Sequence, residues 1–587
     1  RQDNLDRLPR ILERFTERLQ ASGGQVHLAR DATEARRIIG DLCLRVARED
    51  GKAPGEGDGR RPIVTKSKSM ATEEIELNHH LEGLGLEVCE TDLGEFIIQR
   101  LHQRPSHLVG PAMHLSTEQW AENLETEADP QAIMARARAE LREKFVNASV
   151  GISGANAAIA ETGTVMIVTN EGNADLTVTL PRVHIAVFGM DKLVDSLDDA
   201  TAILRMLTRS ATGQPIVSYV NWVSGPSGSA DIAGVYVTGA HGPREMHCVI
   251  LDNGRQEMLD DPLFRDALTC IRCGACSNAC PPFMAVSGHQ FGHIYSGPIG
   301  LVLTPFHHGK EAARWPNSLC AQCNACQEIC PVDIPLPAQI LELRHRDHKV
   351  TAEKRALLDT WSHPATARTA LRIGATLAPA LSPLPLAGRP FRSRVKPGGE
   401  GEPVSIFASC LVDRMTPQAG ESLERILHAA GYRVEFPRGQ WCCGLMCANA
   451  GEYEKAVRLE RHLVRHLARS QGPIVTPSAS CFGALTMDAP GWGTEAPELA
   501  TVADRLRDST RFLLDLLTQR PELVRPPQDV RPRVAYHDSC QSKRQLGLVS
   551  EPRRVLELAG YEVVEMPDIA LCCGFGGTFS LDWPEVA

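Results

Sequence analysis

Four cysteines fall within residues 270–280 (CIRCGACSNAC), spaced C-x2-C-x2-C-x3-C and followed by Pro281. The pattern returns at residues 320–330 (CAQCNACQEIC), followed by Pro331, after 39 intervening residues. No other feature restricts the fold so tightly, because thiolates at this spacing must converge. A C-x2-C-x2-C run wraps three thiolates onto one [4Fe–4S] cube. The fourth Cys, followed by Pro, ligates the other cube in two-cluster ferredoxins. On this chain Cys270, Cys273, Cys276 and Cys330 take one cube, and Cys320, Cys323, Cys326 and Cys280 take the second. The competing reading is zinc, but zinc sites pair two C-x2-C knuckles and have no trailing Cys-Pro. The chemistry expected is one-electron transfer.

The 587 residues are long enough for three or four domains. With 43% hydrophobic and 23% charged residues the chain reads as ordinary globular protein. No apolar run approaches the roughly 20 residues needed to span a bilayer, which leaves peripheral membrane association as the mode of contact to consider. A net charge of −10 disfavours nucleic acid as a partner. The chain begins at Arg1 with no Met and no charged-then-apolar leader, so it reads as a fragment or a processed chain. Nineteen cysteines in an acidic chain of this kind point to a reducing cytoplasm, where clustered thiols are metal ligands or catalytic groups. Of those outside the patterns, Cys43, Cys89 and Cys248 read as small buried hydrophobes.

Leu5, Leu8, Leu12, Phe15 and Leu19 recur at helical spacing and predict one amphipathic helix over 1–24, stopped by Gly23 and Gly24. A polar loop covers 49–61. The segments IVTKSKSM, LEVCETDL, HLVGPAMHL, TVMIVTN, HIAVFGM and VILDNG read as strands separated by helices, so the fold class expected is α/β and multidomain. Residues 375–403 have linker composition, rich in Pro, Gly and Ala. Beyond them a unit repeats. A strand ends in Cys (VSIFASC, 404–410), a helix, Gly turn and strand follow (ILHAAGYRVEF), and WCCG closes the unit. RVAYHDSC, VLELAGYEVVE and LCCG repeat it about 130 residues on. In both copies 31 residues separate the first Cys from the CysCys pair. This predicts a pseudo-duplicated α/β domain.

Adjacent cysteines rarely share a disulfide, because its geometry fights a trans peptide, but they can share a metal. Cys410, Cys442, Cys443 and Cys481 form the first such set, and Cys540, Cys572 and Cys573 the second, one ligand short. Buried unmetallated thiols and zinc are the alternatives. In the first 260 residues, the polar loop Lys66, Ser67, Lys68 and Ser69 at a strand end suits an anion. The turns Glu161, Thr162, Gly163, Thr164 and Asn170, Glu171 bracket an apolar strand and suit a ligand pocket. Turn chemistry alone accounts for them equally well. His79, His80, His107, His114 and His184 are proton-carrier candidates, each more often structural. Neither a dinucleotide fingerprint nor a Walker motif is present.

The stretches KSKSM, ETDLGE, PSH, GISG, IAETGT, VTNEGN, HIAV, TGQ, LDNGR and CIRCGAC, in this order, resemble the iron–sulfur subunit of the lactate-utilisation complex over residues 1–375. Residues 404–587 are similar to the cysteine-rich CCG domains of heterodisulfide reductases and of the partner lactate-utilisation subunit, cut short here. Ser478 stands where that pattern has the first Cys of a final C-x-x-C, which puts a reductase-type cluster in doubt. The resemblance implies the following layout. A LUD domain of NagB/RpiA/CoA-transferase-like fold covers 1–255. A helical two-[4Fe–4S] ferredoxin module covers 256–350. A helical segment and linker cover 351–403. Two CCG repeats cover 404–500 and 501–587. It implies oxidation of L-lactate to pyruvate, two [4Fe–4S] clusters with a further one in the CCG region, a small LUD-type partner subunit and a redox acceptor. A flavin or quinone stands as an additional carrier. The competing functions are an electron-transfer adaptor with no substrate site of its own and a CCG-type thiol–disulfide reductase.

Overall fold

The computed structural model describes the chain except residues 55–60, 348, 378–385, 525–530 and 568–571. The middle of the 49–61 loop, part of the 375–403 linker and Leu571 of the second CysCys-Gly motif therefore lie outside the described residues. The chain divides into two compact units, residues 1–319 with 326–340, and residues 320–325 with 341–587. Both are layered α/β structures built on parallel sheets.

In the first unit the strands are β1 (Gln25–Ala29), β2 (Ile63–Lys66), β3 (Glu87–Glu90), β4 (Ala148–Ser153), β5 (Ala157–Ile159), β6 (Thr164–Thr169), β7 (Val183–Gly189), β8 (Leu193–Val194), β9 (Tyr219–Val223), β10 (Gly228–Ile232), β11 (Val235–Thr238) and β12 (Glu245–Leu251). A six-stranded sheet runs in the order β1-β12-β7-β4-β2-β3, every neighbouring pair parallel. Its central strands are buried on both faces. β7 (VHIAVFG) is buried at every residue, the near-continuous apolar run that a covered parallel sheet demands. A smaller sheet, β8-β5-β6-β9, pairs β6 antiparallel to both β5 and β9. β10 and β11 form a separate hairpin.

Two local expectations are corrected. The N-terminal segment is two helices, Gln2–Asp6 and Leu8–Ala21. Pro9 has no N–H to donate and its ring would meet the carbonyl of Leu5 in a continuous helix. The apolar stripe survives the break, with Leu5, Leu8, Ile11, Phe15 and Leu19 buried. HLVGPAMHL is a run of turns, not a strand. Gly110-Pro111 removes a ladder donor, and the Pro111 carbonyl instead accepts from the Ser106 N–H at 2.9 Å. β1 and β4 carry too many polar or small residues to stand out in the sequence. Cys43, Cys89 and Cys248 do pack as buried hydrophobes.

In the second unit β13 (Pro403–Ile406), β14 (Arg433–Glu435), β15 (Ile474–Thr476) and β16 (Leu506–Asp508) form a parallel sheet in the order β14-β13-β15-β16. β17 (Arg533–Ala535) and β18 (Glu562–Val564) form a second parallel pair. The internal repeat is visible in the registers. Val404 sits opposite Val434 in the first copy, and Val534 opposite Val563 in the second. A helix crosses over in each, Pro417–Ala429 and Glu551–Leu558. Among the described residues no helix is long and apolar enough to cross a membrane.

Candidate functional site

The first unit holds six of the eight cysteines of the two C-x2-C-x2-C-x3-C runs, all but Cys320 and Cys323. Cys270 closes a 3₁₀ turn (Arg265–Thr269), and Arg272 and Gly274 then take left-handed backbone, φ 61° and 74°. The second run repeats this bend at Gln322 and Asn324, φ 54° and 61°. Two left-handed residues fold each C-x2-C-x2-C run back on itself. Gly and Asn tolerate that conformation at the second position. Cys270, Cys273, Cys276 and Cys330 line one small cavity, walled otherwise by Ile271, Ile299 and Val332.

Backbone N–H groups point at these sulfurs. Arg272 N–H donates to Cys270 Sγ at 3.4 Å and Ile334 N–H to Cys330 Sγ at 3.5 Å. The N–H groups of Ala275 and Ile299 serve Cys273 and Cys276. Burial pushes the Cys273 thiol up to about 11 and the Cys276 thiol to about 12. Thiolates there need a cationic partner, and N–H donors aimed at sulfur are the surroundings an iron–sulfur cluster uses. Among the described residues no three His, Cys, Asp or Glu side chains gather tightly enough for a single metal ion. Thiols ringing a cavity suit a polynuclear group, and this donor set fits a [4Fe–4S] cluster. Of the second set, Cys280 and Cys326 belong to the first unit and Cys320 and Cys323 to the second.

A larger cavity of about 450 Å³ opens at the carboxyl ends of β2, β4 and β7, the usual ligand position in open α/β sheets. From the residues singled out in the sequence it takes Ser67, Lys68, Ser69, Asn170 and Glu171. Lys66 is turned away into the protein and fully buried, with Nζ 2.5 Å from Glu73 Oε1 and 2.6 Å from Glu90 Oε1. Glu161, Thr162 and Gly163 lie between β5 and β6, Thr164 opens β6, and none of the four lines the cavity. Thr162 and Thr164 hydroxyls bond each other at 2.6 Å, and Glu161 Oε2 accepts from the Leu197 N–H at 3.1 Å. None of the five candidate histidines lines it either. His184 is buried against Ser153 Oγ at 2.8 Å, and burial holds it down to about 4.

Distant segments supply what the sequence reading missed. Asp92, Lys192, Arg255, Arg272 and Tyr295 all line the cavity. Arg255 is the centre of a buried ion cluster. Its Nη1 and Nη2 donate to Glu74 at 2.9 and 2.7 Å, and its Nε donates to Asp191 at 2.6 Å. Tyr295 Oη and Asn253 Nδ2 each donate to Glu74 at 2.7 Å. Burial alone would raise both carboxyls, but Arg255 holds Glu74, and Lys192 followed by Arg255 and Arg272 holds Asp191, well below the usual carboxylate range. A Cβ at Gly189 would lie 2.1 Å from Arg255 Nε, so β7 must end in glycine to admit the guanidinium.

Arg255 is thus neutralised, whereas Arg272 is less so. Arg272 Nη2 lies 3.5 Å from Asp191, its guanidinium sits 5.1 Å over the Tyr295 ring, and Nη1 is buried without a hydrogen-bond partner. Lys192 Nζ donates to the Cys270 carbonyl at 3.2 Å. Partial loss of bulk water, then the nearby Asp92 charge, pushes Glu171 up to about 7, while the residue as a whole is solvent-exposed, which screens that rise. Asp92 itself caps the helix Leu93–Arg100.

The two cavities share a wall. Ile271, between Cys270 and Cys273, lines both. It also packs with Cys273 and Ala275 into one core with Ala157, Ile159 and Met166 of the smaller sheet. The cysteine loop is therefore part of the hydrophobic core that carries the larger cavity.

The second unit carries the CysCys-Gly sites. Cys410, Cys442, Cys443 and Cys481 follow the carboxyl ends of β13, β14 and β15. Cys443 Sγ lies 3.3 Å from Cys481 Sγ, and Gly444 N–H donates to Cys442 Sγ at 3.4 Å. Hydrogen bonds from Cys410 and Cys443 hold the Cys442 thiol well below its ordinary value. Ser478 lies beside this set, its hydroxyl 3.4 Å from Ser480 Oγ. Gly444 has φ 98°, and a Cβ there would meet the Ala456 carbonyl at 2.5 Å. The second copy reproduces the turn, with Gly574 N–H 3.4 Å from Cys572 Sγ. There Cys572 and Cys573 are exposed and Cys540 is half-buried.

The LUD domain family matches residues 12–251, the 4Fe-4S dicluster domain 266–334, and the cysteine-rich CCG domain 404–486 and 534–586. Lactate utilization protein B of Bacillus thuringiensis, of Bacillus cereus and of Bacillus anthracis are each 39% identical over 402 residues, covering 66% of this chain and 80% of the relative. A crystal structure of a DUF162 family protein from Deinococcus radiodurans aligns at 16% identity over 42% of this chain and 98% of that one, with a TM-score of 0.23, too low to define a shared fold. With its LUD domain, its dicluster cysteines and 39% identity across most of the relatives' length, the chain belongs to the Lactate utilization protein B family and carries CCG cysteine-rich domains after the 4Fe-4S dicluster domain.

Proposed function

We propose that the chain is the iron–sulfur electron-transfer component of a complex oxidising L-lactate to pyruvate. In this reading the 2-hydroxy acid sits in the 450 Å³ cavity of the first unit. Cys270, Cys273, Cys276 and Cys330 hold the entry cluster. Cys320, Cys323, Cys326 and Cys280 hold the second, assigned on sequence spacing. Cys410, Cys442, Cys443 and Cys481 hold a further group, and Cys540, Cys572 and Cys573 are the matching ligands of the second repeat. The supporting observation is the shared wall, because Ile271 lines both the substrate cavity and the thiol-ringed one.

Oxidation of lactate removes the hydroxyl proton, the C2 hydrogen and two electrons, and forms a C=O bond at C2. Bound [4Fe–4S] clusters supply one-electron acceptors. The chain's own groups do the rest. Arg272, whose Nη1 is buried without a partner, gives the cavity positive charge together with Lys68 and Lys192, and Lys68 is the cation facing Glu171 that a carboxylate beside the hydroxyl would meet. Glu171, poised near neutrality, takes the hydroxyl proton at its carboxylate. Ile271 and the apolar core behind it keep water from the cluster side. A small LUD-type subunit is the partner in this reading, and a flavin or quinone is the acceptor class that would take the C2 hydrogen with its electron pair before the electrons pass on singly.

Because Glu171 must be deprotonated to act, cluster reduction by L-lactate should rise with pH to a plateau above about 7. Lys68 and Asp92 are the charged groups facing it, the first lowering and the second raising that midpoint. Glu171→Gln should slow the reduction by about 100-fold and flatten the pH profile, in the range of a lost general base. Anaerobic stopped-flow bleaching of the reconstituted protein reads both. Bleaching that requires a separate dehydrogenase would favour the adaptor role instead, and bleaching by dithiols would favour the reductase.

A further inference from the structure

Three cations share one carboxylate between the larger cavity and the cysteine loop. Asp191 Oδ1 accepts from Arg255 Nε at 2.6 Å, and Lys192 Nζ and Arg272 Nη2 lie 3.4 and 3.5 Å from its Oδ2. Glu74 is already bound by two nitrogens of Arg255. Arg1 adds a further cation, its guanidinium donating to the Asp191 and Leu268 carbonyls. Positive charge is therefore in surplus, and Arg272 Nη1 is buried with no hydrogen-bond partner. Arg272 and Lys192 are both held at the Cys270 corner of the thiol-ringed cavity. Lys192 Nζ donates to the Cys270 carbonyl at 3.2 Å, and the Arg272 backbone N–H donates to Cys270 Sγ at 3.4 Å. Both side-chain charges lie close enough to the Cys270 sulfur to interact with it.

Resting on the reading of Cys270, Cys273, Cys276 and Cys330 as ligands of one [4Fe–4S] cluster, we infer that Arg272 and Lys192 are positioning residues that raise its reduction potential. Four thiolates outweigh the charge of a cubane core, so such a site is anionic and gains one more negative charge on reduction. Fixed cations beside it favour the reduced state. Solvent screens them little, because the Arg272 and Lys192 side chains are only 11% and 12% exposed. The step they act on is the arrival of one electron, with no bond made or broken. A hydroxy acid is a weak reductant, and a cluster of raised potential accepts its electrons more readily.

The chain itself supplies the neutral alternative. Gln322 occupies in the second run the step that Arg272 occupies in the first, two residues after the leading Cys. Both take left-handed backbone, φ 54° and 61°, and Gln322 Nε2 donates to Cys320 Sγ at 3.5 Å. Arg272→Gln therefore removes the charge and installs a residue that the same turn accepts. One unit charge about 10 Å from a redox centre, at an effective dielectric of about 20, shifts a one-electron equilibrium by about tenfold.

Redox titration of the anaerobically reconstituted full chain, followed by low-temperature EPR, reads the potential without substrate turnover. In Arg272→Gln one of the two reduction steps is expected to become about tenfold less favourable, a fall of about 59 mV, with iron content unchanged. Lys192→Met should move the same step in the same direction, and Arg272→Lys should keep most of the wild-type value. These results support the inference. A step unmoved in both Arg272→Gln and Lys192→Met overturns it. Equal shifts in Arg272→Gln and Arg272→Lys overturn it as well, because the cluster would then be responding to the guanidinium stacked on Tyr295 and not to its charge. If Arg272→Gln loses iron, Lys192→Met decides alone. A wild-type chain without [4Fe–4S] signals removes the ligand reading together with the inference, whereas signals at unmoved potentials remove only the inference.

Discussion

Cys330→Ser is expected to lower the iron content of the anaerobically reconstituted chain by about four atoms, one cube's worth. Cys330 lies 50 or more positions from its partners in the sequence, yet it lines the same small cavity as Cys270, Cys273 and Cys276. Its sulfur accepts the Ile334 N–H in the same manner as Cys270 accepts that of Arg272. Serine keeps the volume and removes the soft ligand. The remaining three thiols are buried, and burial makes Cys273 and Cys276 hold their protons when free. A cluster missing its fourth anchor also loses the coupling between metal binding and local folding. Cys89→Ser serves as the control. Cys89 packs in the core with Phe96 and Phe145, so its loss should leave iron unchanged. Unchanged iron in Cys330→Ser would remove the assignment.

Arg255→Met is expected to destabilise the first unit by about 3–5 kcal/mol at neutral pH, the cost of breaking a buried ion pair from one side. Arg255 is 1% exposed and faces two carboxylates that are themselves 2% and 1% exposed. Methionine fills the space but leaves Glu74 and Asp191 with less positive charge. The pH dependence follows from sign. Both carboxyls are depressed in the folded protein. Their contribution is present above the unfolded carboxylate pKa near 4 and is lost as pH falls below it. In the variant they are held down less, so the gap between the two proteins should narrow as pH is lowered below about 4. Urea unfolding followed at pH 7 and at about pH 3 measures it. A constant gap would mean that Arg255 acts by packing alone.

The parts legible in the sequence were those fixed by short-range chemistry. The cysteine spacing specified the thiol-ringed cavity, because three of its four ligands sit within seven residues. The repeat 404–587 was legible from the recurring strand, Cys and Gly turn, and both parallel pairs reproduce it. Residues 67–69, with Asn170 and Glu171, were visible as polar loops next to apolar strands, and they line the larger cavity. Lys66 belongs to the same polar loop, yet strand alternation turns it inward, where only tertiary contacts with Glu73 and Glu90 keep it charged. The Glu161 to Thr164 turn looked like a binding loop because turns and binding loops use the same residues.

Arg255, Arg272 and Tyr295 were missed for a different reason. They come from three separate segments and meet only through the six-stranded sheet and the cysteine loop. A weak signal did exist. The LDNGR stretch places a glycine just before an arginine, and Gly254 has φ 88° at the start of the helix Arg255–Asp260. A charged residue directly behind a left-handed turn at a strand's carboxyl end has a fixed direction. Reading it that way points Arg255 at the mouth of the sheet.

The most direct test of the account is iron and acid-labile sulfide per chain, combined with low-temperature EPR of the dithionite-reduced, anaerobically purified protein. The account predicts about eight irons with matching sulfide from the two ferredoxin runs, more if the CCG set is loaded, and signals from two reduced [4Fe–4S] clusters. A colourless protein carrying zinc, with no EPR signal on reduction, would contradict it.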